Sequence, residues 1–281
     1  MMRVLTVARA TLAELVRRGV VLALALGVGG TILLSAWGFF HMRTFHVAHA
    51  QLLQNAASLL TFVIFLFTFI IAMSAAFLAA STVATDVESG LVLGVLSRPI
   101  RRIEYIGGKW LGICVAVAVG AAISGGLEIA VVAWATDYVP PHPFIALAAL
   151  ATLGILVASL AFALGTRFGA LASAIVAVIA FGLEWISGIA GRLAFQFSND
   201  ALVNATTAIS LALPSDSYWR AAQWAVQPAV FTAALNSREG IARAGPFAGA
   251  VPPTTAMLVW TALWIVAVLG VAMRAFARRD L

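Results

Sequence analysis

Residues 85–109, TDVESGLVLGVLSRPIRRIEYIGGK, form the longest charged interruption between apolar spans in this chain. The stretch carries Asp86, Glu88, Arg98, Arg101, Arg102, Glu104 and the chain's only lysine, Lys109. Between them Leu91, Val92, Leu93, Val95 and Leu96 leave one face to bury. Charge on one side and an apolar ridge on the other suit a segment at a membrane surface that also meets a protein.

What flanks this stretch fixes the class. The 281 residues are 63% hydrophobic and 10% charged, with a mean hydropathy of +1.04. A water-soluble domain would expose far too much apolar surface at that composition, so an all-α integral membrane protein is expected. The formal charge of +6 does not point to nucleic acid: the arginines gather at the ends of apolar spans, where topology and anionic lipid account for them. Cys114 is the single cysteine, which rules out an internal disulfide. The first apolar run, about twenty residues from Val20, is too long for a signal-peptide core and lacks a convincing cleavage site.

In chain order, residues 2–18 place Val4, Val7, Ala8, Thr11, Leu12 and Leu15 on one helical stripe, with Arg3, Arg9, Glu14, Arg17 and Arg18 largely off it. The pattern predicts an interfacial helix over 1–18. Six spans follow, near 20–40, 57–84, 110–135, 144–166, 169–191 and 254–273, each meeting the need for roughly 20 apolar residues. With the N-terminus inside, 12 Arg and Lys residues fall on the inner side and 5 on the outer. Excess positive charge marks the cytoplasmic side, so both termini and the 85–109 region are expected there. Residues 193–252 are far longer than an ordinary connection and unusually apolar. Pro214 interrupts the run, and Tyr218, Trp219 and Trp224 are rings suited to the headgroup level. Short re-entrant or surface-lying outer helices are predicted, then a turn at Pro252 and Pro253 with Thr254 capping the last span. The whole chain reads as one transmembrane domain.

A resemblance sharpens the opening stretch. Glu88-x-Gly90, Leu96-Ser97-x-Pro99, Arg102 and Gly108-Lys109 resemble the cytoplasmic signature of type-two ABC exporter permeases, closest to the NosY-like subfamily. The arginine-bearing N-terminal helix, the Leu213-Pro214-Ser215-Asp216-x-Tyr218 run and the closing Arg278-Arg279 fall where that family has similar features. Leu91 and Thr11 depart from it, standing where the family usually has threonine and glutamate. The resemblance implies two copies of the permease joined to two copies of an ABC ATP-binding subunit, which binds ATP and Mg. A cytoplasmic coupling helix between spans two and three would seat in a groove of that subunit. Asp86, Glu88, Gly90, Leu96, Pro99, Arg101, Arg102 and Lys109 are the implied ATPase-coupling residues. Spans one and five would form the homodimer contact and line the substrate route, in keeping with the small residues that open span five and with Gly165 and Gly169. Such residues also serve packing inside one protomer.

The other constellations carry less. Gly107-Gly108-Lys109 lacks the spacing of a phosphate-binding loop, so this chain is not expected to hold ATP or any other cofactor of its own. Glu128 in span three and Glu184 in span five are costly inside hydrocarbon, so each must face protein or water. They would line a substrate cavity, pair with Arg192, or serve only as hydrogen-bonded packing groups. His41, His46, His49 and His142 fall on the outer side; as interfacial polar groups they need no metal. No hydrolase motif occurs. The expected function is that of a permease subunit of an ATP-driven exporter in the bacterial cytoplasmic membrane, moving a lipid, drug-like or other small molecule and performing no bond chemistry. Two alternatives stay open: a proton-coupled secondary transporter using Glu128 and Glu184, and a non-transporting membrane assembly factor.

Overall fold

The computed structural model describes residues 2–17, 19–42, 48–90, 94, 101–197, 199–235 and 249–278. It is all-helical, 88% helix with no strand among the described residues. Ten helices are used below: α1 (Met2–Arg17), α2 (Gly19–Met42), α3 (His49–Glu88), α4 (Arg102–Thr136), α5 (Pro143–Gly165), α6 (Ala170–Gln196), α7 (Asp200–Ala212), α8 (Ser215–Val226), α9 (Ala229–Leu235) and α10 (Thr255–Ala277). Six of them, α2 to α6 and α10, are long and apolar enough to cross a membrane.

The centre of the bundle is α3 against α5. In both, 56% of the spanning stretch is buried inside the protein, against 11% for α2 and α10 at the rim. Small side chains make this possible, because in lipid helices associate through close packing rather than through expulsion of water. Ala72, Ala75, Ala76, Ala79 and Ala80 line the buried face of α3. A Cβ on Gly165 would lie 2.8 Å from the carbonyl oxygen of Ala80, and one on Gly154 would lie 2.6 Å from Val117 and 2.7 Å from Ile71. Gly165 therefore serves contact within one protomer.

Two helices outrun their predicted spans. At 40 and 35 residues, α3 and α4 are about 60 and 52 Å long, against roughly 30 Å of hydrocarbon. The 85–109 region is thus built at each end from helix: Asp86 and Glu88 lie on the last turn of α3, and Arg102 to Lys109 form the first two turns of α4.

The predicted N-terminal stripe is the buried or half-buried face of α1, and α4 receives it. A Cβ on Gly108 would lie 2.6 Å from Val7, and one on Gly112 would lie 2.9 Å from both Ala8 O and Thr11 Cβ. Gly107-Gly108-Lys109 is thus part of a helix-crossing seat. Thr11, buried and donating to Val7 O at 2.9 Å, fills the seat at Gly112.

Beyond α6 the chain folds back. Helix α7 descends alongside α6, where a Cβ on Gly191 would lie 2.7 Å from Thr206. It breaks at Pro214, and α8 returns to the outer ends of α4 and α5. There Tyr138 donates to Val226 O at 2.6 Å and His142 N–H to Ala225 O at 3.0 Å. Burial pushes the Tyr138 phenol up to about 12, so it keeps the proton it donates. The rings of Tyr218 and Trp219, amphipathic in the sequence, face inward. They are buried in protein rather than exposed, with Trp219 edge-on to Phe65, which also packs on Phe69 and Trp185. The reason is the break at Pro214, which turns α8 inward. Two α10 indoles, Trp260 and Trp264, donate to the terminal carbonyls of α7 at Leu211 and Ala212, at 3.1 and 2.6 Å. Thr254 caps α10 as expected, accepting from Met257 N–H at 3.2 Å.

Candidate functional site

Three positions on one face of the first two turns of α4 gather the inner ends of the bundle. Arg102, Tyr105 and Lys109 are spaced i, i+3, i+7 and so share that face. Arg102 Nη1 donates to Ala277 O at 3.0 Å, with Phe276 O at 3.5 Å, capping α10 with the cation its C-terminal carbonyls favour. The Tyr105 ring stacks on Phe276 at 5.8 Å and its hydroxyl donates to Asp86. Lys109 Nζ lies 2.6 Å from Asp86 Oδ2, 3.2 Å from Glu14 Oε2 and 3.4 Å from Thr82 O. Asp86 and Lys109 are each 6% exposed. One face of α4 thus holds α1 through Glu14, α3 through Asp86 and α10 through Arg102. A buried pair of this kind fixes geometry more than it stabilises, since desolvation offsets much of the attraction.

The remaining implied coupling residues sit at the rim. Glu88, Gly90 and Arg101 are exposed, and Gly90 ends α3 in the left-handed region at φ 73°, where glycine carries no steric cost. Arg101 N–H is received by Glu104 at 2.9 Å, starting α4. Leu96 and Pro99 lie outside the described residues. The structure therefore brings Asp86, Arg102 and Lys109 into one internal cluster and leaves Glu88, Gly90 and Arg101 facing outward. Glu14, Tyr105 and Phe276 were not singled out from the sequence. The spacing of Tyr105 between Arg102 and Lys109 was the available signal.

The two membrane acids are far apart in kind. Glu184 Oε2 accepts from Ser215 Oγ at 2.6 Å and from Asp216 N–H at 2.8 Å. Helix α8 begins at Pro214, which offers no side-chain cap, so Glu184 supplies one from α6. Asp216 in turn holds Arg192 at 3.2 Å and Arg220 at 2.9 Å. Arg192 thus pairs with Asp216 rather than with either glutamate. Gly188 makes room for this, since a Cβ there would lie 2.5 Å from the Asp216 carboxyl carbon.

Glu128 has one partner. Ser35 donates to its Oε2 at 2.8 Å, while Oε1 has no hydrogen-bond partner among the described residues, and the side chain is fully buried. One turn along from this pair an apolar groove of about 720 Å³ runs between α2, α3 and α4, with Leu12 and Leu15 of α1 also in its lining.

The described histidines are engaged separately. His41 stacks on Trp37 and His142 on Trp224, and His46 lies outside the described residues. Among the described residues no group of three or more His, Cys, Asp or Glu could hold a metal.

No curated protein matches the chain. The family described as "ABC-2 family transporter protein" has a model that matches residues 6–281. With a match that runs from the first turn of α1 to the last residue, this multi-pass chain belongs to the ABC-2 family, the membrane-spanning permease subunits of ABC transporters, which have no ATPase site of their own.

Proposed function

We propose that the chain is the permease of an ATP-driven exporter, working as a homodimer with two copies of a separately encoded ATP-binding subunit that holds the ATP and Mg. Family membership implies the ATP-binding partner. The observation that carries the rest is the cluster on α4. It joins α1, α3 and α10 directly beneath the charged rim at Glu88, Gly90 and Arg101. A partner seated on the rim moves the last turn of α3 and the first turn of α4, and the cluster passes that motion to three spans and the N-terminal helix. ATP binding then shifts the population between inward-open and occluded or outward states. In this reading rim residues set affinity and register for the partner, and cluster residues carry the motion. The positive-inside count supports a cytoplasmic position for both termini and the rim, in the inner membrane of a bacterium. The signature residues in 86–109 support a place near the NosY-like permeases.

The experiment is co-purification of the tagged chain with its neighbouring ATP-binding protein, followed by ATPase and transport assays in lipid. Glu88→Ala is expected to weaken assembly. Lys109→Met is expected to leave assembly intact and to uncouple hydrolysis from transport. Unchanged assembly and transport in both variants would overturn the proposal. A proton-coupled transporter using both acids is disfavoured by Glu184, whose Oε2 is committed to capping α8.

A further inference from the structure

We propose that the groove between α2, α3 and α4 binds a lipophilic amine, an elongated apolar molecule whose terminal ammonium is received by Glu128 Oε1. As the substrate class of the exporter this rests on the permease reading; the binding itself does not.

The groove is built to stay open. Its α4 wall runs from Val115 to Leu127, about 18 Å of helix, and its volume of about 720 Å³ falls within the roughly 300–1,000 Å³ of small-molecule sites. Gly29 on α2 and Gly120 on α4 both line it, and a Cβ on either would meet nothing within 4 Å among the described residues. Val119, Ile123 and Leu127 on its edge are exposed, so it opens sideways along the spanning length, where an occupant arrives from the membrane. Among the described residues the walls are apolar except for Ser74 and Ser124.

One turn beyond the lining the surround is different, where Glu128 and Ser35, which do not themselves line the groove, stand. Glu128 stands four residues beyond Ser124 and seven beyond Ala121, and Ser35 stands three beyond Ile32 and seven beyond Val28. All four of those reference residues line the groove, so the Glu128–Ser35 pair continues the lining stripe of both helices by one turn. A fully buried carboxyl there, with one oxygen unpartnered, is costly in an apolar surround and marks a site for a complementary group. An acyl chain alone leaves that oxygen bare. An ammonium supplies three donors and the opposite charge.

The test is photoaffinity labelling of the chain alone, without its ATP-binding subunit, in nanodiscs of zwitterionic phosphatidylcholine, with a dodecylamine bearing an alkyl diazirine. Failure of partner assembly therefore cannot affect the result. Labelled peptides from α2 and α4 are expected, competed by dodecylamine at least about tenfold better than by dodecanol or dodecanoate. Glu128→Gln keeps the shape and the Ser35 bond and is expected to lose that selectivity. Gly120→Leu projects into the open groove and is expected to abolish the label while leaving the thermal midpoint unchanged. Equal competition by the three amphiphiles, or unchanged selectivity in Glu128→Gln, would overturn the proposal and leave a recess filled by ordinary lipid.

Discussion

Glu184 and Glu128 are both buried acids on spanning helices, each with an Oε1 that has no hydrogen-bond partner among the described residues, and they differ in what Oε2 holds. The Oε2 of Glu184 holds the start of α8, and the Asp216 it positions holds two arginines. Glu128 has a single serine and an open apolar groove beside it. Insertion cost alone marks both as unusual. The partners of Oε2 make Glu184 architectural and leave Glu128 tied to the fold by a single serine among the described residues.

The largest effect is expected at the centre of the outer network. Asp216→Ala strands Arg192 and Arg220 without their shared counter-ion, and loss of one partner from a buried pair costs about 3–5 kcal/mol. The readout is the thermal midpoint of the purified protein. Glu184→Ala leaves the Ser215 hydroxyl and the Asp216 N–H without their acceptor, at about 1–3 kcal/mol, and Glu184→Gln restores most of this because one amide oxygen still accepts. Gly188→Ala forces a methyl against the Asp216 carboxyl and is expected to cost about 1–3 kcal/mol, less if α8 shifts outward. Glu128→Gln is the smallest, within about 0.5 kcal/mol, since its second oxygen has no hydrogen-bond partner among the described residues. A Glu128→Gln midpoint as low as that of Glu184→Ala would erase the contrast between the two acids.

Much of the architecture was legible because hydrophobic length is a strong signal. The six spans follow from runs of apolar residues, and Thr254 followed by helix formers reads directly as a cap. The N-terminal stripe was visible in its period, but its seat was not, because Gly108 and Gly112 acquire meaning only when Val7 and Thr11 are brought against them. The packing of Tyr218 and Trp219 was hidden for a related reason. An aromatic ring with a polar handle suits a headgroup or a protein core equally well, and only the turn at Pro214 chooses. The site was legible in part. The charges at Asp86, Arg102 and Lys109 stood out, yet their division into an internal cluster and an exposed rim depends on helix phase across a connection, which residue type does not encode.

Helix α3 runs from His49 to Glu88 without a proline or a glycine. A rod of that kind has no interior joint at which to bend, since sharp kinks need proline, glycine or a bulge. It acts as a lever whose fulcrum is the alanine-rich waist against Gly165, near its inner third. Tilting such a rod of about 60 Å by ~5° displaces its long arm by several ångströms. The short arm carries Asp86, and the long arm carries Phe65, against which the Trp219 of the folded-back hairpin rests. In the proposed transport cycle, a small push at the Asp86 end would be amplified where the hairpin of α7 and α8 is keyed in, and the opposite end would need no motor of its own.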